Sequence, residues 1–280
     1  MNKFFSSSAG LCLVLTGLTL SAPAAYAQDQ AAGMLSPPKV LQIIVEGLKP
    51  GQGGSPHIKS ESAFVQAFKA ADWTTHYLGM DALSGPSRAV FFAPYDSFDA
   101  WQKDLNATAA NPTFSAALDS AAVADGALLN SYETSAYLLR DDLSLRAPVP
   151  GDHFHYVEIQ LFRVRPGHEK DWDDLVKMYV AAFQKIPNAH WATFQKIYGT
   201  ESGSRFIAVT PMKSMAEADQ ELLDGIAFEK AAGEEQLKKM RELIATTVES
   251  SESNLYAVNP KMSYPADTWV KADPAFWKQQ

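Results

Sequence analysis

The hydrophobic pattern of the chain switches between two periods, which predicts strands alternating with helices. Residues 156–164 alternate and are rich in β-branched and aromatic types, as a strand requires. Apolar residues from Trp172 to Ile186 then recur at spacings of three and four, the pattern of a helix with one buried face. In the C-terminal half the two periods predict, in chain order, a strand at 156–164, a helix at 172–186, strands at 191–198 and 205–210, a broken helical region from Ser214 and a strand around Tyr256.

The N-terminal half predicts the same order of elements. A strand ends near residue 48, and a helix follows in which Phe64, Ala67, Phe68 and Ala71 keep the helical spacing. The remaining predicted elements are strands at 73–78 and 88–93, a helical region from Ser97 that Pro112 interrupts, and a strand around Tyr137. In the C-terminal half Ser214 and Glu217 have the spacing of a capping box, and Gly225 and Gly233 weaken the helical region.

Short segments return at a nearly constant offset, which indicates an internal repeat. Residues 47–51 (Gly-Leu-Lys-Pro-Gly) resemble residues 163–167 (Arg-Val-Arg-Pro-Gly), and Ser87-Arg88 returns as Ser204-Arg205. A third match relates Ser131, Glu133, Tyr137 and Ser144 to Ser250, Glu252, Tyr256 and Ser263. The offset grows by only a few residues between these matches, as expected when insertions fall in loops.

Each copy therefore reads β-α-β-β-α-β, the order of a ferredoxin-like four-stranded sheet with helices on one face. The bare face of such a sheet must be covered, so we expect an α+β fold in which two tandem copies pack sheet to sheet as a pseudo-dimeric α/β barrel. The predicted divisions are a signal peptide at 1–27, an N-terminal segment at 28–39, repeat 1 at 40–146, a Pro-rich linker at 147–152, repeat 2 at 153–264 and a tail at 265–280 that covers a barrel edge.

Composition changes this picture mainly by exclusion. The 280 residues are 46% apolar and carry a net charge of −8, which argues against disorder and against a nucleic-acid partner. Lys3, an apolar run at 11–20 and the small residues Ala25 and Ala27 form a signal-peptide pattern. No later segment is long and apolar enough for a transmembrane helix. We therefore expect a periplasmic or secreted protein cleaved after Ala27.

Two segments resemble a known superfamily. Residues 163–167, followed by an acidic amphipathic helix and a hairpin, are similar to dimeric α/β-barrel proteins of the ferredoxin-like class, and the NIPSNAP-like branch resembles the chain most. The resemblance extends to residues 95–98 and 111–114, where Asn111 and Phe114 replace the Asp and Trp of that branch. It implies the fold and a small-molecule cavity. Relatives include antibiotic-biosynthesis-type monooxygenases that use no cofactor and haem-handling enzymes.

Strand alternation suggests which polar side chains line such a cavity. The apolar sets Leu41, Ile43, Val45 and Val157, Ile159, Leu161 are assigned to the helix side of the sheet. The opposite face, expected to line the barrel cavity, then carries Glu46, Glu158 and Gln160. A partly desolvated carboxylate there could transfer protons, although pairing with Arg88 or Arg205 is the alternative.

Histidines supply the remaining candidates. His76 lies in a predicted strand of the first copy, and His190 with Trp191 opens the corresponding strand of the second copy, near the expected cavity mouth. His153 and His155 share one side of an extended segment but lack a third ligand nearby. The helical regions that would carry a haem ligand contain no histidine. No cofactor and no metal site are predicted.

The sequence thus predicts an exported soluble protein that binds a small organic ligand in a barrel cavity. Two alternatives stay open: a cofactor-independent monooxygenase or isomerase, and a non-catalytic partner-binding module with a filled barrel. The candidate catalytic residues are Glu46, His76 and Glu158, and the candidate ligand contacts are Gln160, His190, Trp191, Arg88 and Arg205. The sequence does not identify the ligand or the oligomeric state.

Overall fold

The computed structural model describes residues 34–200 and 203–278, and its elements follow the two periods of the sequence. The N-terminal half contains β1 (Met34–Leu35), β2 (Val40–Leu48), α1 (Ser55–Ala70), β3 (Leu78–Ala82), β4 (Arg88–Tyr95), α2 (Phe98–Ala109), α3 (Pro112–Gly126), β5 (Leu129–Leu139) and β6 (Val149–Pro150). The C-terminal half contains β7 (Tyr156–Val164), α4 (Glu169–Phe183), β8 (Ala192–Tyr198), β9 (Ser204–Met212), α5 (Ala216–Ala232), α6 (Glu234–Thr247), β10 (Val248–Val258), α7 (Asp267–Ala272) and α8 (Pro274–Trp277).

Eight of these strands close into one antiparallel barrel. Their order around the barrel is β10-β3-β4-β2-β5-β8-β9-β7, so each half contributes four neighbouring strands. The halves are joined by hydrogen bonds at both edges, through the pairs β5–β8 and β10–β3. The expected α+β class and the barrel are confirmed. Closure of the barrel satisfies the backbone groups of the edge strands that each half would expose alone.

The inside of the barrel contains a buried apolar cluster to which all eight strands contribute alternate residues. Leu41 and Ile43 of β2, Val157 of β7 and Phe194 of β8 belong to this one buried cluster. The expectation that the apolar sets face the helices is therefore wrong. Alternation shows that the apolar and the polar residues of a strand lie on opposite faces of the sheet. It does not show which of the two faces is inside the barrel. Barrel closure removes most of the inner face from water, so the apolar residues lie there.

Helices cover the outer face of each half. In the C-terminal half α4 and α6 pack on β7 and β9 in one buried cluster, which includes Trp172, Met240, Val164 and Phe206. In the N-terminal half Val65 of α1 packs on Phe91 of β4. The breaks in the helical regions follow local chemistry: α2 begins where the Ser97 hydroxyl accepts from the Ala100 N–H, and α3 begins where the Asn111 side chain accepts from the Phe114 N–H, with Pro112 at its first turn.

Three local predictions are corrected. The strand expected at 73–78 begins only at Leu78, because Trp73 and Thr75 donate to Asp104 of α2 instead of joining the sheet. The expected capping box is absent at the start of α5, where Glu217 accepts from the Lys213 N–H. Helix α5 also continues through Gly225 and ends at Gly233, whose φ of 78° interrupts the helix.

The tail closes one mouth of the barrel. Helices α7 and α8 follow β10, and Trp277 is 3% exposed within the buried barrel cluster. The predicted role of covering a barrel edge is wrong, because the closed barrel has no free edge in the described residues. The predicted signal peptide lies outside the described residues. Among the described helices, none combines the length and apolarity needed to cross a bilayer.

Gly79 of β3 is expected to be intolerant of a side chain. Its N–H donates to the Ser263 hydroxyl, and a Cβ there would clash with the Met262 carbonyl oxygen and lie 2.9 Å from a ring carbon of Phe91. We expect Gly79→Ala to destabilise the protein by about 1–3 kcal/mol, measured by urea unfolding. Gly225→Ala is the control, because its Cβ meets no atom within 4 Å and alanine favours the helix. An equal loss in both variants would contradict the steric account.

Candidate functional site

A cavity of about 510 Å³ lies outside the barrel, between the sheet of the C-terminal half and helices α4, α5 and α6. We call it the helix-side cavity. It is lined by outward residues of β7, β8, β9 and β10, by the apolar face of α4, by one face of α5, by Ile244 of α6 and by the segment that leads into β8. Four predicted residues reach it, namely Glu158, Gln160, His190 and Trp191. Its size is within the range that small-molecule sites occupy.

Aromatic side chains form one wall of the helix-side cavity. Helix α4 contributes Trp172, Tyr179 and Phe183 at helical spacing, so the amphipathic pattern read from the sequence supplies the wall. The rings are held by neighbours: Trp172 contacts Phe162 at a centroid distance of 4.9 Å, and Phe183 contacts Trp191 edge to face at 5.5 Å. A wall of fixed rings favours a flat apolar ligand.

The opposite wall carries a pair of carboxyl groups. Glu158 of β7 accepts hydrogen bonds from the Gln160 amide, at 3.1 Å, and from the Ser253 hydroxyl. Glu221 of α5 interacts with Glu158 across the cavity. Burial, followed by the nearby Glu158 carboxylate, raises the pKa of Glu221 to about 8. Glu221 therefore keeps its proton at neutral pH, and the pair offers one proton donor beside hydrogen-bond acceptors.

Helix α5 is oriented opposite to an ordinary surface helix. Its cavity-lining residues are Glu217, Gln220, Glu221 and Asp224, spaced as one helical face. Three of its apolar residues face solvent, with Leu222 73%, Leu223 57% and Ile226 68% exposed, whereas Phe228 is buried against α4. Packing of the fold alone would favour the reverse orientation. The polar face is positioned at the cavity, where it can contact a bound molecule.

An unsatisfied donor lies on the aromatic wall. Trp172 is 3% exposed, and its indole N–H has no hydrogen-bond partner among the described residues. A buried N–H of this kind ordinarily has a partner, because leaving it unpaired costs about 1–3 kcal/mol. Trp172 lines the helix-side cavity, so its unsatisfied N–H is a candidate donor to a bound molecule, although the nitrogen itself is buried in the structure.

His190 and Trp191 line the cavity, but their polar atoms are engaged by the protein. The two ring nitrogens of His190 each lie 2.9 Å from a backbone carbonyl oxygen, those of Asn188 and Pro211. The indole N–H of Trp191 donates to the Leu143 carbonyl at 2.9 Å. Both residues shape the cavity, and His190 has no free nitrogen to serve as a base.

Glu46 is not where the sequence analysis placed it. It is 6% exposed, faces α1 rather than the barrel interior, and lies 3.0 Å from the Nε2 atom of His57. The face of β2 that is inside the barrel was predicted wrongly, and Glu46 alternates with the inward residue Val45. Glu158 and Gln160 are likewise on the helix side, yet there they meet a cavity.

The other predicted residues lie apart from the helix-side cavity. Arg88 and Arg205 share the inward faces of β4 and β9, and Arg88 lies 5.7 Å from the ring centre of Tyr256. Neither pairs with Glu46 or Glu158 in the way expected. His76 stacks on Tyr264 at 4.8 Å, and burial lowers its pKa. His153 and His155 pair with different carboxylates, those of Asp152 and Asp273, at 3.1 and 2.6 Å.

A second cavity, of about 300 Å³, reaches into the barrel at the mouth that the tail covers. It is the place in the structure nearest to the expected barrel cavity, and Phe92, Phe194 and Trp277 line it. None of the predicted site residues is among its lining residues, whose only carboxylate is Asp96. This cavity could hold an apolar group, but it lacks paired acid and base groups.

Sequence reasoning missed Glu221, the unsatisfied N–H of Trp172 and the proximity of His57 to Glu46 and Glu61. The signal for Glu221 is the polar face formed at 217, 220, 221 and 224, from which no site residue was predicted. Trp172 was assigned to the core, which is correct but omits its free N–H. His57 and Glu61 are one helical turn apart, a spacing that places both on one face.

Comparison with known proteins informs the fold. No protein-family model matches the chain, and no curated protein matches it. An anthrone oxidase-like protein of known structure aligns with a TM-score of 0.51 and 14% identity, covering 81% of this chain and 94% of that chain. A candidate monooxygenase from Lactobacillus acidophilus NCFM aligns with a TM-score of 0.48 and 10% identity, covering 80% of this chain and 95% of that chain. A chlorite dismutase variant from Candidatus Nitrospira defluvii aligns with a TM-score of 0.47 and 9% identity, covering 85% of this chain and 97% of that chain.

The anthrone oxidase-like structure has the dimeric α/β-barrel fold, and the chain shares that fold. The fold implied by the resemblance is thereby confirmed. At sequence identities this low, structural similarity is evidence for the fold alone.

Proposed function

We propose that this dimeric α/β-barrel protein is a cofactor-independent monooxygenase that acts on a small aromatic substrate in the helix-side cavity. The observation that carries the proposal is the Glu158–Glu221 carboxyl pair facing a wall of aromatic rings. A structure of the same fold is described as anthrone oxidase-like. An anthrone is a flat aromatic ketone with an acidic methylene group, and its chemistry suits such a wall and such a base.

The proposed reaction begins with proton removal. Glu158 takes a proton from an acidic C–H or O–H of the substrate, and the resulting carbanion or enolate gives electrons to O₂. For a methylene group the balance is CH₂ plus O₂ to C=O plus H₂O, with one oxygen atom entering the substrate and the other leaving as water. The four electrons lost by carbon reduce the O₂ molecule.

Two other groups assist in this scheme. The free N–H of Trp172 donates to the substrate oxygen, on which negative charge develops as the proton leaves. The protonated Glu221 supplies the proton that the reduced oxygen needs. The remaining aromatic wall excludes water and holds the substrate flat.

Native mass spectrometry of the purified protein, together with oxygen consumption on anthrone as the probe substrate, tests the proposal. We expect one molecule bound per chain and O₂ uptake that depends on the probe. Binding of the probe without O₂ uptake would contradict the enzyme proposal and would indicate a ligand-binding protein. Absence of binding by anthrone and by any co-purified molecule would favour a partner-binding module.

Trp172→Phe tests the donor role separately from packing. Phenylalanine keeps an aromatic ring but lacks the N–H, so we expect the Kd for the probe to rise about fivefold to tenfold, measured by isothermal titration calorimetry. Trp101→Phe is the control, because Trp101 stacks on Tyr95 of β4 and does not line the helix-side cavity. Equal Kd values for Trp172→Phe and the wild type would remove the hydrogen bond from the scheme.

We also propose that the two halves arose by tandem duplication, with the boundaries read from the sequence. We propose further that the chain is a NIPSNAP-like member that is exported and is periplasmic or secreted. The repeated motifs and the matching strand orders β3-β4-β2-β5 and β8-β9-β7-β10 support duplication. The pattern at residues 1–27 supports export. N-terminal sequencing of protein recovered from the periplasm should begin at Gln28. Retention of Met1 in a cytoplasmic fraction would contradict export.

A further inference from the structure

Four ionisable side chains converge in the N-terminal half, far from the aromatic wall of the helix-side cavity. Glu46 lies near the end of β2, His57 and Glu61 lie on α1, and Asp125 lies near the end of α3. Their exposures are 6, 0, 3 and 2%, respectively. Carboxylates are almost never buried to this extent unless they are paired or bind a metal. We call the four residues the Glu46 cluster.

The ligand atoms of the Glu46 cluster have the spacing of a metal site. One candidate atom from each side chain lies within 4.8 Å of all the others. From His57 Nε2 the distances are 3.0 Å to Glu46 Oε2, 3.6 Å to Asp125 Oδ1 and 3.8 Å to Glu61 Oε1. Ligand atoms held about 2.1 Å from a tetrahedral zinc ion are about 3.4 Å apart. The three distances from His57 Nε2 lie on both sides of this value and within about 0.4 Å of it.

The cluster also contains polar atoms that no protein group satisfies. Glu61 Oε1 and Asp125 Oδ1 are buried and have no hydrogen-bond donor among the described residues, although both face His57 Nε2 and the two carboxyl groups interact with each other. The hydroxyl of Tyr77, a buried residue outside the cluster, also has no partner, and Glu61 and Glu46 raise the pKa of Tyr77 after burial itself. Three acidic groups face one imidazole, and a divalent cation would compensate their charge.

The fold does not require polar residues at this place. In the C-terminal half the corresponding strand position, two residues before the strand ends, is Phe162 instead of Glu46. Its ring contacts Trp172 of α4 in an apolar cluster with Val176. An apolar filling therefore supports the same architecture without the cost of burying carboxylates. The Glu46 cluster needs a reason other than packing.

We propose that Glu46, His57, Glu61 and Asp125 bind one divalent first-row transition metal ion, with zinc, manganese and iron as the candidates. The donor set of three carboxylate oxygens and one imidazole nitrogen suits these borderline ions better than copper(I), which prefers sulfur. Magnesium ordinarily keeps several water ligands, which a fully buried site has little room for. This site is independent of the proposed oxygenase cavity, and the sequence analysis predicted no metal.

Metal titration of the purified full-length protein, after treatment with a chelator, tests the site. We expect one Co²⁺ ion per chain to produce the visible absorption of a site with nitrogen and oxygen ligands, and Zn²⁺ to displace it. Zn²⁺ at about 100 times its Kd should raise the Tm by about 5–10 °C. Absence of one-to-one binding of Co²⁺, Zn²⁺ and Mn²⁺ by the wild type would overturn the proposal.

Variants separate this site from a proton-linked structural cluster and from surface binding. Glu61→Gln and Asp125→Asn keep the size of each side chain but remove its charge, and we expect each to weaken Zn²⁺ binding by at least about 100-fold. His168→Asn is the control, because His168 pairs with Asp171 at an exposed site. If one of these two variants unfolds, the Co²⁺ spectrum of the other variant tests the site. Equal losses in His168→Asn and Glu61→Gln, or unchanged Zn²⁺ affinity in both cluster variants, would exclude the assignment.

Discussion

Glu158→Gln should lower kcat for the probe substrate by about 10²- to 10⁴-fold, the range that loss of a general base produces. Glutamine retains an oxygen that can accept from Gln160 and Ser253, so the local hydrogen bonds need not be lost. Substrate binding relies chiefly on the aromatic wall and should change little. Steady-state O₂ uptake and calorimetric binding on the same samples measure the two quantities separately.

The pH profile adds a readout that a structural role would not reproduce. Because the pKa of Glu221 is raised to about 8, its proton is present below that pH and is lost above it. We expect kcat to fall as the pH rises through about 8, and Glu221→Gln, which cannot titrate, to flatten that decline. A profile in Glu221→Gln identical to that of the wild type would assign the decline to another group.

Two residues serve as controls for the Glu158 prediction: one on the neighbouring strand, and one that the sequence alone had suggested as catalytic. Glu252→Gln changes an exposed carboxylate on β10, and His76→Ala changes a histidine that stacks on Tyr264 outside the cavity. Neither change should reduce kcat more than about twofold, given the usual neutrality of changes away from a site. Loss of activity in His76→Ala equal to that in Glu158→Gln would move the reaction away from the helix-side cavity.

Phe194→Ala is expected to destabilise the protein by about 3–5 kcal/mol. Phe194 is 2% exposed on the inward face of β8, where it packs with residues from other strands of the barrel. Removing the ring loses its apolar burial and leaves a void that the closed strands cannot easily fill. Urea unfolding followed by circular dichroism measures the change, with comparison at the midpoint.

Ile197→Ala on the same strand supplies the matched control for this truncation. Ile197 is 38% exposed, so the truncation should cost well under half the effect of Phe194→Ala. Comparable losses at the two positions would mean that the inward face of β8 is less tightly packed than the structure indicates. A proportionate gap would support the barrel interior as the main source of stability.

Much of the fold follows from local pattern. The strand at Tyr156–Val164, the helix carrying Trp172 and the break at Pro112 were predicted because period, β-branching and proline act within a few residues. The strand expected at 73–78 failed because the contacts of Trp73 and Thr75 with Asp104 join residues about 30 positions apart. Contacts between residues so far apart cannot be recognised from the pattern of a short sequence segment.

The candidate site was only partly predictable for the same reason. Glu158, Gln160, His190 and Trp191 were chosen from strand positions and do line one cavity, although on the helix side rather than inside the barrel. Glu221 comes from a helix whose polar face looks solvated in sequence. The Glu46 cluster joins residues from 46 to 125 in the chain, and only their approach in space distinguishes it from separate surface charges.

The amino-acid sequence by itself determined the α+β class, the order of strands and helices and the likeness between the halves, because these depend on local periodicity and composition. Only the tertiary structure decided which face of each strand is enclosed, where a cavity remains and which acidic groups meet. Those features depend on barrel closure and on helix docking, which bring together side chains that are far apart in the chain and set their distance from water.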